Sequence, residues 1–287
     1  MGSSPAFLVF LAAIINPGDE VVLPDPHYSC YPNYIEFLGG RPVYVKVYEE
    51  DGFQYRPEDI KKKISSRTKA IMINSPANPT GNLLSAERMK EIAGLGPFIL
   101  SDEIYHQLVY EGSEHTILEF TDNAAVINGF SKAYAMTGWR LGYVIMPRKL
   151  VRPVQKMLQN FFISPNTFVQ WAGVAALEKA DAEVRKMRDI FDERRKFVIR
   201  RLREIGFGIR VEPTGAFYVF ANAKKWAANS FKFAFDILEK AGVGVTPGID
   251  FGENGEGYLR FSYANSMENL KEGMDRLEEF IKACCKT

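Results

Sequence analysis

Short apolar runs, rich in β-branched residues, alternate along the chain with segments long enough to form helices. Such alternation is typical of βαβ units, which assemble into a mainly parallel sheet. The pattern predicts strands at residues 20–23, 42–47, 70–74, 98–101, 125–128 and 142–145, and helices at residues 6–15 and 86–93. The sequence therefore predicts an α/β fold, with ligand groups collected at the carboxyl edge of the sheet.

A different pattern begins at residue 181. Residues 181–205 are highly charged and carry apolar residues at helical spacing, so they predict one long amphipathic helix that joins two domains. Beyond it, the pattern predicts strands at residues 208–221, 242–245 and 257–263, and helices at residues 230–241 and 267–282. We therefore place a large domain at residues 1–190 and a smaller α+β domain at residues 191–287.

Charge and cysteine content restrict the function. The 287 residues carry 36 Lys plus Arg against 35 Asp plus Glu, a net charge of +1, whereas nucleic-acid binders concentrate an excess of Lys and Arg. The longest apolar run, residues 6–15, is shorter than the roughly 20 residues that span a bilayer. Three cysteines without a Cys-x-x-Cys pair fit a reducing compartment. We expect a cytoplasmic protein that acts on small molecules, without a nucleic-acid or membrane partner.

Metal and hydrolase chemistry find no support in the sequence. His27, His106 and His115 are scattered and lack the spacing of metal ligands. Ser3 and Ser4 are not set in a Gly-x-Ser-x-Gly elbow. No Gly-x-Gly-x-x-Gly follows the first predicted strand, which argues against a nicotinamide enzyme.

Two predicted strands end in polar residues. The prolines and glycine in residues 74–81 fix an irregular backbone that would present Asn78, although a simple surface turn explains the segment equally well. Asp102 ends the next strand, with Tyr105 three residues on. A buried carboxylate at that place needs a cationic or hydrogen-bonding partner, either a distant Arg or Lys or a protonated ligand nitrogen. Capping of a helix by Asp102 is an equally good interpretation.

Residues 129–143 are the most informative segment. Lys132 follows a predicted strand among small and apolar side chains, and a lysine that loses solvation there becomes a nucleophile able to form Schiff bases. From the residues alone, a solvated surface lysine is equally consistent. Arg140, eight residues on, would provide a fixed cation for a phosphate.

Six short motifs follow one another along the chain: residues 2–6 (GSSPA), 25–28 (DPHY), 78–81 (NPTG), 101–105 (SDEIY), 131–143 (SKAYAMTGWRLGY) and 259–262 (LRFS). Their order resembles that of the class I/II aminotransferases, which are pyridoxal-phosphate enzymes of fold type I. The resemblance covers essentially the whole chain. It implies a large domain with a mainly parallel, seven-stranded-type sheet flanked by helices, and a smaller C-terminal α+β domain.

The resemblance also implies roles around a bound pyridoxal 5′-phosphate. Lys132 would hold the cofactor as a Schiff base and then move the proton of the substrate. Asp102 would pair with the protonated pyridine nitrogen and keep the ring an electron sink. Tyr105 and Asn78 would hydrogen-bond the phenolic oxygen, and Tyr28 would stack on the ring.

Phosphate and substrate anchors follow from the same resemblance. Ser3, Ser4 and Arg140 would bind the phosphate at the amino end of the first helix, where free N–H groups favour an anion. Ser131, next to Lys132, belongs to the same cofactor-binding set. Arg260, with Asn78, would bind the substrate α-carboxylate. Residues 213–218 resemble a segment that reaches the substrate, although an aromatic core strand gives the same pattern.

The chain departs from the family pattern in two places. Gly129 stands where members often have a phosphate-binding Ser, which would remove one contact. The sequence also opens at the phosphate-binding turn, whereas relatives carry a substantial segment before it. We therefore expect the cofactor-binding residues to be present but transaminase activity of this chain to be weak or lost.

The predicted function is an aminotransferase that moves an amino group from an L-amino acid to a 2-oxo acid by a ping-pong route. The resemblance implies a homodimer. Two alternatives remain: a pyridoxal-phosphate-dependent C–S β-lyase of the same fold, and a truncated cofactor-binding chain with little activity.

Overall fold

Two sheets form the framework of residues 2–284, the part of the chain that the computed structural model describes. The larger sheet has six strands in the order β2-β1-β3-β4-β5-β6, and only β6 runs antiparallel to its neighbour. Its strands are β1 (Glu20–Asp25), β2 (Arg41–Lys46), β3 (Thr68–Asn74), β4 (Phe98–Asp102), β5 (Ala124–Gly129) and β6 (Gly142–Ile145). The predicted α/β fold with a mainly parallel sheet is confirmed, with six strands among the described residues where seven were expected.

Helices cover both faces of this sheet. They are α1 (Ser3–Ile14), α2 (Cys30–Phe37), α3 (Pro57–Lys61), α4 (Ala86–Ala93), α5 (Arg148–Phe162) and α6 (Thr167–Lys179). Successive residues of a strand point to opposite faces, so Met72 joins one core with α1 while Ile71 joins a second core with α4. Burial on both faces explains why these strands are continuously apolar rather than alternating.

The C-terminal part builds a three-stranded antiparallel sheet in the order β7-β9-β8. Its elements are α7 (Asp181–Ile205), β7 (Tyr218–Asn222), α8 (Ser230–Ala241), β8 (Thr246–Pro247), β9 (Tyr258–Ser262) and α9 (Met267–Cys284). Short 3₁₀ turns complete the chain at Glu49–Asp51, Ile117–Glu119, Thr137–Trp139, Gly248–Phe251 and Glu253–Gly255. Helix α7 runs without a break through residue 190, so the exact boundary between the two domains stays a prediction.

Polar contacts join the two parts of the molecule. The carboxylate of Asp25, at the end of β1, accepts a hydrogen bond from the backbone N–H of Asn254 at 3.1 Å. Arg195 of α7 is 1% exposed and donates to the carbonyl of Pro213 and to the carboxylates of Asp192 and Glu111. The second sheet is therefore attached to the edge of the first where the strands β1, β3 and β4 end.

Several predicted bounds are confirmed, since α4, α7, α8 and β6 begin and end at the predicted residues. Two strand predictions are wrong. In the segment 208–221 only the last part forms β7, because Pro213 and Gly215 interrupt the pattern, and Gly208 makes an isolated bridge to Asn222. Residues 242–245 form no strand, because Gly242 ends α8 in a left-handed conformation and β8 starts only at Thr246.

Within residues 2–284, no helix combines the length and the apolar character needed to cross a membrane.

Candidate active site

A cavity of about 310 Å³ opens at the carboxyl ends of β3, β4 and β5 and is closed on one side by β9. All ten side chains that the sequence predicted for the site line it. They are Ser3, Ser4, Tyr28, Asn78, Asp102, Tyr105, Ser131, Lys132, Arg140 and Arg260. The structure therefore brings together residues that are up to 257 positions apart, from Ser3 to Arg260.

Lys132 lies just beyond β5 and is half-buried. Its Nζ lies 5.5 Å from the ring centre of Phe217 and 5.7 Å from that of Tyr105. Burial lowers the pKa of Lys132, and the charges of Arg260 and Arg140 lower it further, while Asp102 opposes the shift. The amine therefore reaches its neutral, nucleophilic form at a lower pH than a surface lysine does.

Asp102 ends β4 and is 4% exposed. Burial raises the pKa of Asp102 to about 6, although hydrogen bonds to the carboxylate and the charge of Lys132 lower it. Those hydrogen bonds come from the Tyr31 hydroxyl at 2.5 Å and the Ile104 backbone N–H at 3.1 Å. The segment after Asp102 is a turn rather than a helix, so the helix-capping interpretation is wrong.

A chain of hydrogen bonds runs from β4 to the small sheet. The side chain of Asn74 donates to the carbonyl of Asp102 at 2.9 Å and accepts from the backbone N–H of Asn78 at 2.7 Å. Oδ1 of Asn78 in turn accepts from Nη1 of Arg260 at 2.8 Å. The loop of residues 74–81 therefore connects the backbone of Asp102 with the guanidinium of Arg260.

Arg260 lies in β9 with its guanidinium between two rings, 4.4 Å from the ring centre of Tyr218 and 4.8 Å from that of Phe251. Nη2 donates to the hydroxyl of Thr246 at 3.1 Å. Nε is buried and has no hydrogen-bond partner in the structure. A buried donor of this kind is costly unless a ligand satisfies it.

Tyr105 closes another wall of the cavity. Its hydroxyl shares a hydrogen bond with the hydroxyl of Tyr218 at 2.9 Å. Burial raises the pKa of Tyr105, and the hydroxyl therefore stays protonated and available as a donor.

An anion-binding cradle lies at the start of α1. The helix begins after Gly2, has no side-chain cap and carries no acidic residue in its first turn, so the N–H groups of Ser3 and Ser4 favour an anion. Gly2 adopts φ +71°, and a Cβ there would lie 2.7 Å from Nη2 of Arg140. The arginine and the helix end therefore present positive charge at one place.

The donor set fits pyridoxal 5′-phosphate. A cation and a helix end match its phosphate, a buried carboxylate matches its pyridine nitrogen, and a lysine of lowered pKa matches its aldehyde. The structure also explains why position 129 carries Gly where family members often have Ser: a Cβ there would lie 2.9 Å from the carbonyl oxygen of Leu141. Among the described residues, no group of three or more His, Cys, Asp or Glu is arranged to hold a metal ion.

Sequence reasoning missed three contributors. Tyr31 contacts Asp102 but belongs to no predicted motif. Asn74 is visible in retrospect as the polar end of β3, beside Asp102 on β4. Tyr218, which lines the cavity, is the last residue of the segment 213–218 that left both interpretations open. His27 and His106 do not line this cavity.

Comparison with known proteins gives a consistent result. A family model described as aminotransferase class I and II matches residues 1–277. A (5-formylfuran-3-yl)methyl phosphate transaminase of Methanocaldococcus jannaschii is 42% identical over 98% of this chain and 74% of its own length. An aspartate aminotransferase of Pyrococcus abyssi is 39% identical over 98% of this chain and 75% of its own.

Solved structures agree with the sequence comparison. The crystal structure of an aromatic aminotransferase from Pyrococcus horikoshii superposes with a TM-score of 0.94 at 39% identity. The match covers 98% of this chain and 78% of that one.

Proposed function

Because the chain belongs to the class I and II aminotransferases and is itself an aminotransferase, we propose that it works through pyridoxal 5′-phosphate held by Lys132. The observation that carries the proposal is that Lys132, Asp102, Arg140 and Arg260 line one cavity. Each of the four matches a different chemical group of the cofactor or of an amino acid substrate.

When bound, pyridoxal 5′-phosphate supplies an aldehyde that condenses with amines and a ring that accepts the electron pair of the substrate Cα–H bond. Lys132 would hold the aldehyde covalently and would be released when an amino acid takes its place. Once free, its Nζ would be the base that takes the proton from the substrate α-carbon and the acid that delivers the same proton to the carbon of the former aldehyde. Burial favours the neutral amine that this base step needs.

The remaining residues orient and polarise the reactants. Asp102 would hold a proton on the ring nitrogen, while the Tyr105 hydroxyl and the Asn78 side-chain amide would donate to the phenolic oxygen. Tyr28 would pack on the ring face, and Ser3, Ser4 and Arg140 would bind the phosphate. Ser131, next to Lys132, would belong to the same cofactor-binding set. Arg260 would pair with the α-carboxylate shared by L-amino acids and 2-oxo acids, and such a ligand could satisfy its buried Nε.

We further propose a homodimer in which a second copy covers an apolar face next to the site. On the exposed side of α6, Phe168 is 66% and Trp171 is 71% exposed, and at the end of α5, Phe161 is 72% and Ile163 is 83% exposed. The Phe168 ring also contacts Trp139, one residue before Arg140. Exposed patches of large apolar side chains mark interaction surfaces, and four of these residues lie within the stretch from Phe161 to Trp171. We call these five residues the α5–α6 face.

An absorbance titration tests the proposed function. Purified protein is mixed with pyridoxal 5′-phosphate, and spectra are recorded before and after a mixture of L-amino acids is added, with Lys132→Ala as the matched variant. We expect a band of covalently held cofactor that changes on addition of amino acid and that is absent from the variant. The same band in Lys132→Ala would refute the assignment of Lys132.

Product analysis separates the transferase from the β-lyase. A transferase forms 2-oxo acid only up to the amount of enzyme until a second oxo acid is added. Steady release of ammonia and pyruvate from cystathionine without an added oxo acid would instead indicate the lyase. No feature of the cavity favours that reaction.

A further inference from the structure

Tyr31 is the residue outside the predicted site that contacts its chemistry most directly. It lies in α2 with 1% of its surface exposed, and its hydroxyl donates to Oδ2 of Asp102 at 2.5 Å. The other carboxylate oxygen, Oδ1, accepts from the backbone N–H of Ile104 at 3.1 Å. Each carboxylate oxygen therefore accepts one hydrogen bond from the protein and keeps a lone pair for a further donor.

The ring of Tyr31 is fixed from two sides. Its centre lies 5.3 Å from that of Phe7 on α1 and 5.3 Å from that of Tyr28, which meets it edge-on. A fully buried ring held between two others cannot turn its hydroxyl away without disturbing both. The hydrogen bond therefore aims the carboxylate as well as stabilising it.

Only the donor role is open to this hydroxyl. Burial and the charge of Asp102 raise the pKa of Tyr31, so the hydroxyl stays protonated. A hydroxyl that donates to a carboxyl group stabilises its ionised form over its neutral form. Among the other charged or titratable neighbours, Lys132 acts in the same direction and Glu103 acts against it. Tyr28, Tyr34 and Tyr105 also face Asp102.

We propose that Tyr31 is a positioning residue that keeps the Asp102 carboxylate ionised and aimed, so that the proton shared between Asp102 and the cofactor ring stays on the ring nitrogen. This inference rests on the proposed function, because the ring nitrogen belongs to the proposed cofactor. Without the Tyr31 hydroxyl, the shared proton moves toward Asp102 and the ring becomes a weaker electron acceptor.

The test uses 4′-deoxypyridoxine 5′-phosphate labelled with ¹⁵N in the ring, which carries a methyl group in place of the aldehyde and does not react with Lys132. Its ¹⁵N resonance reports the protonation of the ring nitrogen directly. In Tyr31→Phe we expect the resonance to move from the protonated toward the neutral position. In the ligand-free variant we expect the pKa of Asp102, followed by ¹³C NMR, to rise by about one to two units.

Tyr258→Phe is the matched control, because the Tyr258 hydroxyl also donates to a carboxylate inside the protein, Oε2 of Glu49, at 3.1 Å. This control also loses a tyrosine hydroxyl, but it should leave the ¹⁵N resonance of the analogue and the pKa of Asp102 unchanged. If Tyr31→Phe is folded by circular dichroism and neither signal moves, the inference is overturned. A control variant that moves both signals equally would also overturn it.

Two further results keep the outcomes distinct. If the analogue fails to bind the unsubstituted protein, the proposed function is refuted, while the titration of Asp102 in the ligand-free protein still tests Tyr31. If Tyr31→Phe does not fold, the Tyr31 hydroxyl proton of the unsubstituted protein should resonate far downfield and be lost in Asp102→Ala. Absence of that resonance would refute the inference.

Discussion

Arg260 and Asn78 form a direct contact between the two sheets: Nη1 of the arginine donates to Oδ1 of the asparagine at 2.8 Å. The two residues are 182 positions apart in the chain. The contact fixes the guanidinium from the side of the large sheet, while the rings of Tyr218 and Phe251 fix it from the small one. A planar, pre-oriented fork of donors suits a carboxylate better than a mobile cation does.

Replacing Arg260 by Lys therefore separates charge from geometry. The variant keeps a cation but loses the fork, and the lost hydrogen bond to a charged group is worth about 1.5–3 kcal/mol. We expect kcat/KM for amino acids to fall roughly 10- to 150-fold, mainly through KM, with the cofactor absorbance unchanged. Steady-state kinetics measure this effect. Arg210→Lys, at an exposed arginine, is the control, and an unchanged KM in Arg260→Lys would remove the arginine from the substrate site.

The start of α1 gives a prediction about phosphate binding. A Cβ on Gly142 would lie 2.8 Å from the backbone of Gly2 and Ser3, so Gly142→Ala should displace the first turn of the helix. Overpacking of this kind costs about 1–3 kcal/mol. We expect the affinity for 4′-deoxypyridoxine 5′-phosphate to fall roughly 5- to 150-fold, as measured by calorimetry.

Gly138→Ala, in the 3₁₀ turn just before β6, provides the control, because nothing lies within 4 Å of a Cβ at Gly138. The analogue without its phosphate should bind the Gly142 variant and the unsubstituted protein equally. If Gly142→Ala weakens both ligands to the same extent, the cradle at α1 is not the phosphate site.

The α5–α6 face gives a prediction about assembly. Large aromatic residues at the centre of an interface commonly contribute 2 kcal/mol or more, and a charge there is harder to bury. We expect Trp171→Glu to raise the dissociation constant of the dimer by a factor of roughly 30 or more, as measured by light scattering over a range of concentrations. Phe37→Glu is the control, since Phe37 is 78% exposed on α2 outside this face. A monomeric unsubstituted protein would refute the dimer.

Asn78, Asp102 and Lys132 could be singled out because they follow predicted strands, whereas the roles of Ser3, Ser4, Tyr28 and Arg260 came from the resemblance to the aminotransferases. Polar residues at the ends of neighbouring parallel strands meet at one edge of the sheet, which is why Asp102 and Lys132 lie at one cavity as expected. The contact between Tyr31 and Asp102 joins residues 71 positions apart and depends on how α2 packs on the sheet, which no local pattern encodes. The strand prediction for residues 208–217 is wrong for a related reason. Its apolar residues Ile209 and Val211 have strand-like spacing, but Pro213 and Gly215 prevent a continuous ladder.

The buried carboxylate of Asp102 gives a prediction about stability in the absence of cofactor. Burial raises the pKa of Asp102 from 3.8 to about 6, so the folded protein binds a proton more tightly than the unfolded chain does between those two pH values. The stability contributed by this group therefore falls as the pH rises from about 4 to about 6 and stays constant above. A shift of about two units corresponds to about 3 kcal/mol.

Asp102→Asn removes this cost because the amide does not ionise. We expect the cofactor-free variant to be about 3 kcal/mol more stable than the unsubstituted protein at pH 7.5, with the difference vanishing near pH 4, as measured by urea denaturation. Burial lowers the pKa of His27 to about 4, so the stability contributed by His27 rises with pH, opposite to that of Asp102. Because His27 is the same in both proteins, the difference between them reports Asp102 alone. A stability difference independent of pH would show that Asp102 ionises normally in the folded protein, and a carboxylate of ordinary pKa would not need a cationic ring nitrogen as its partner.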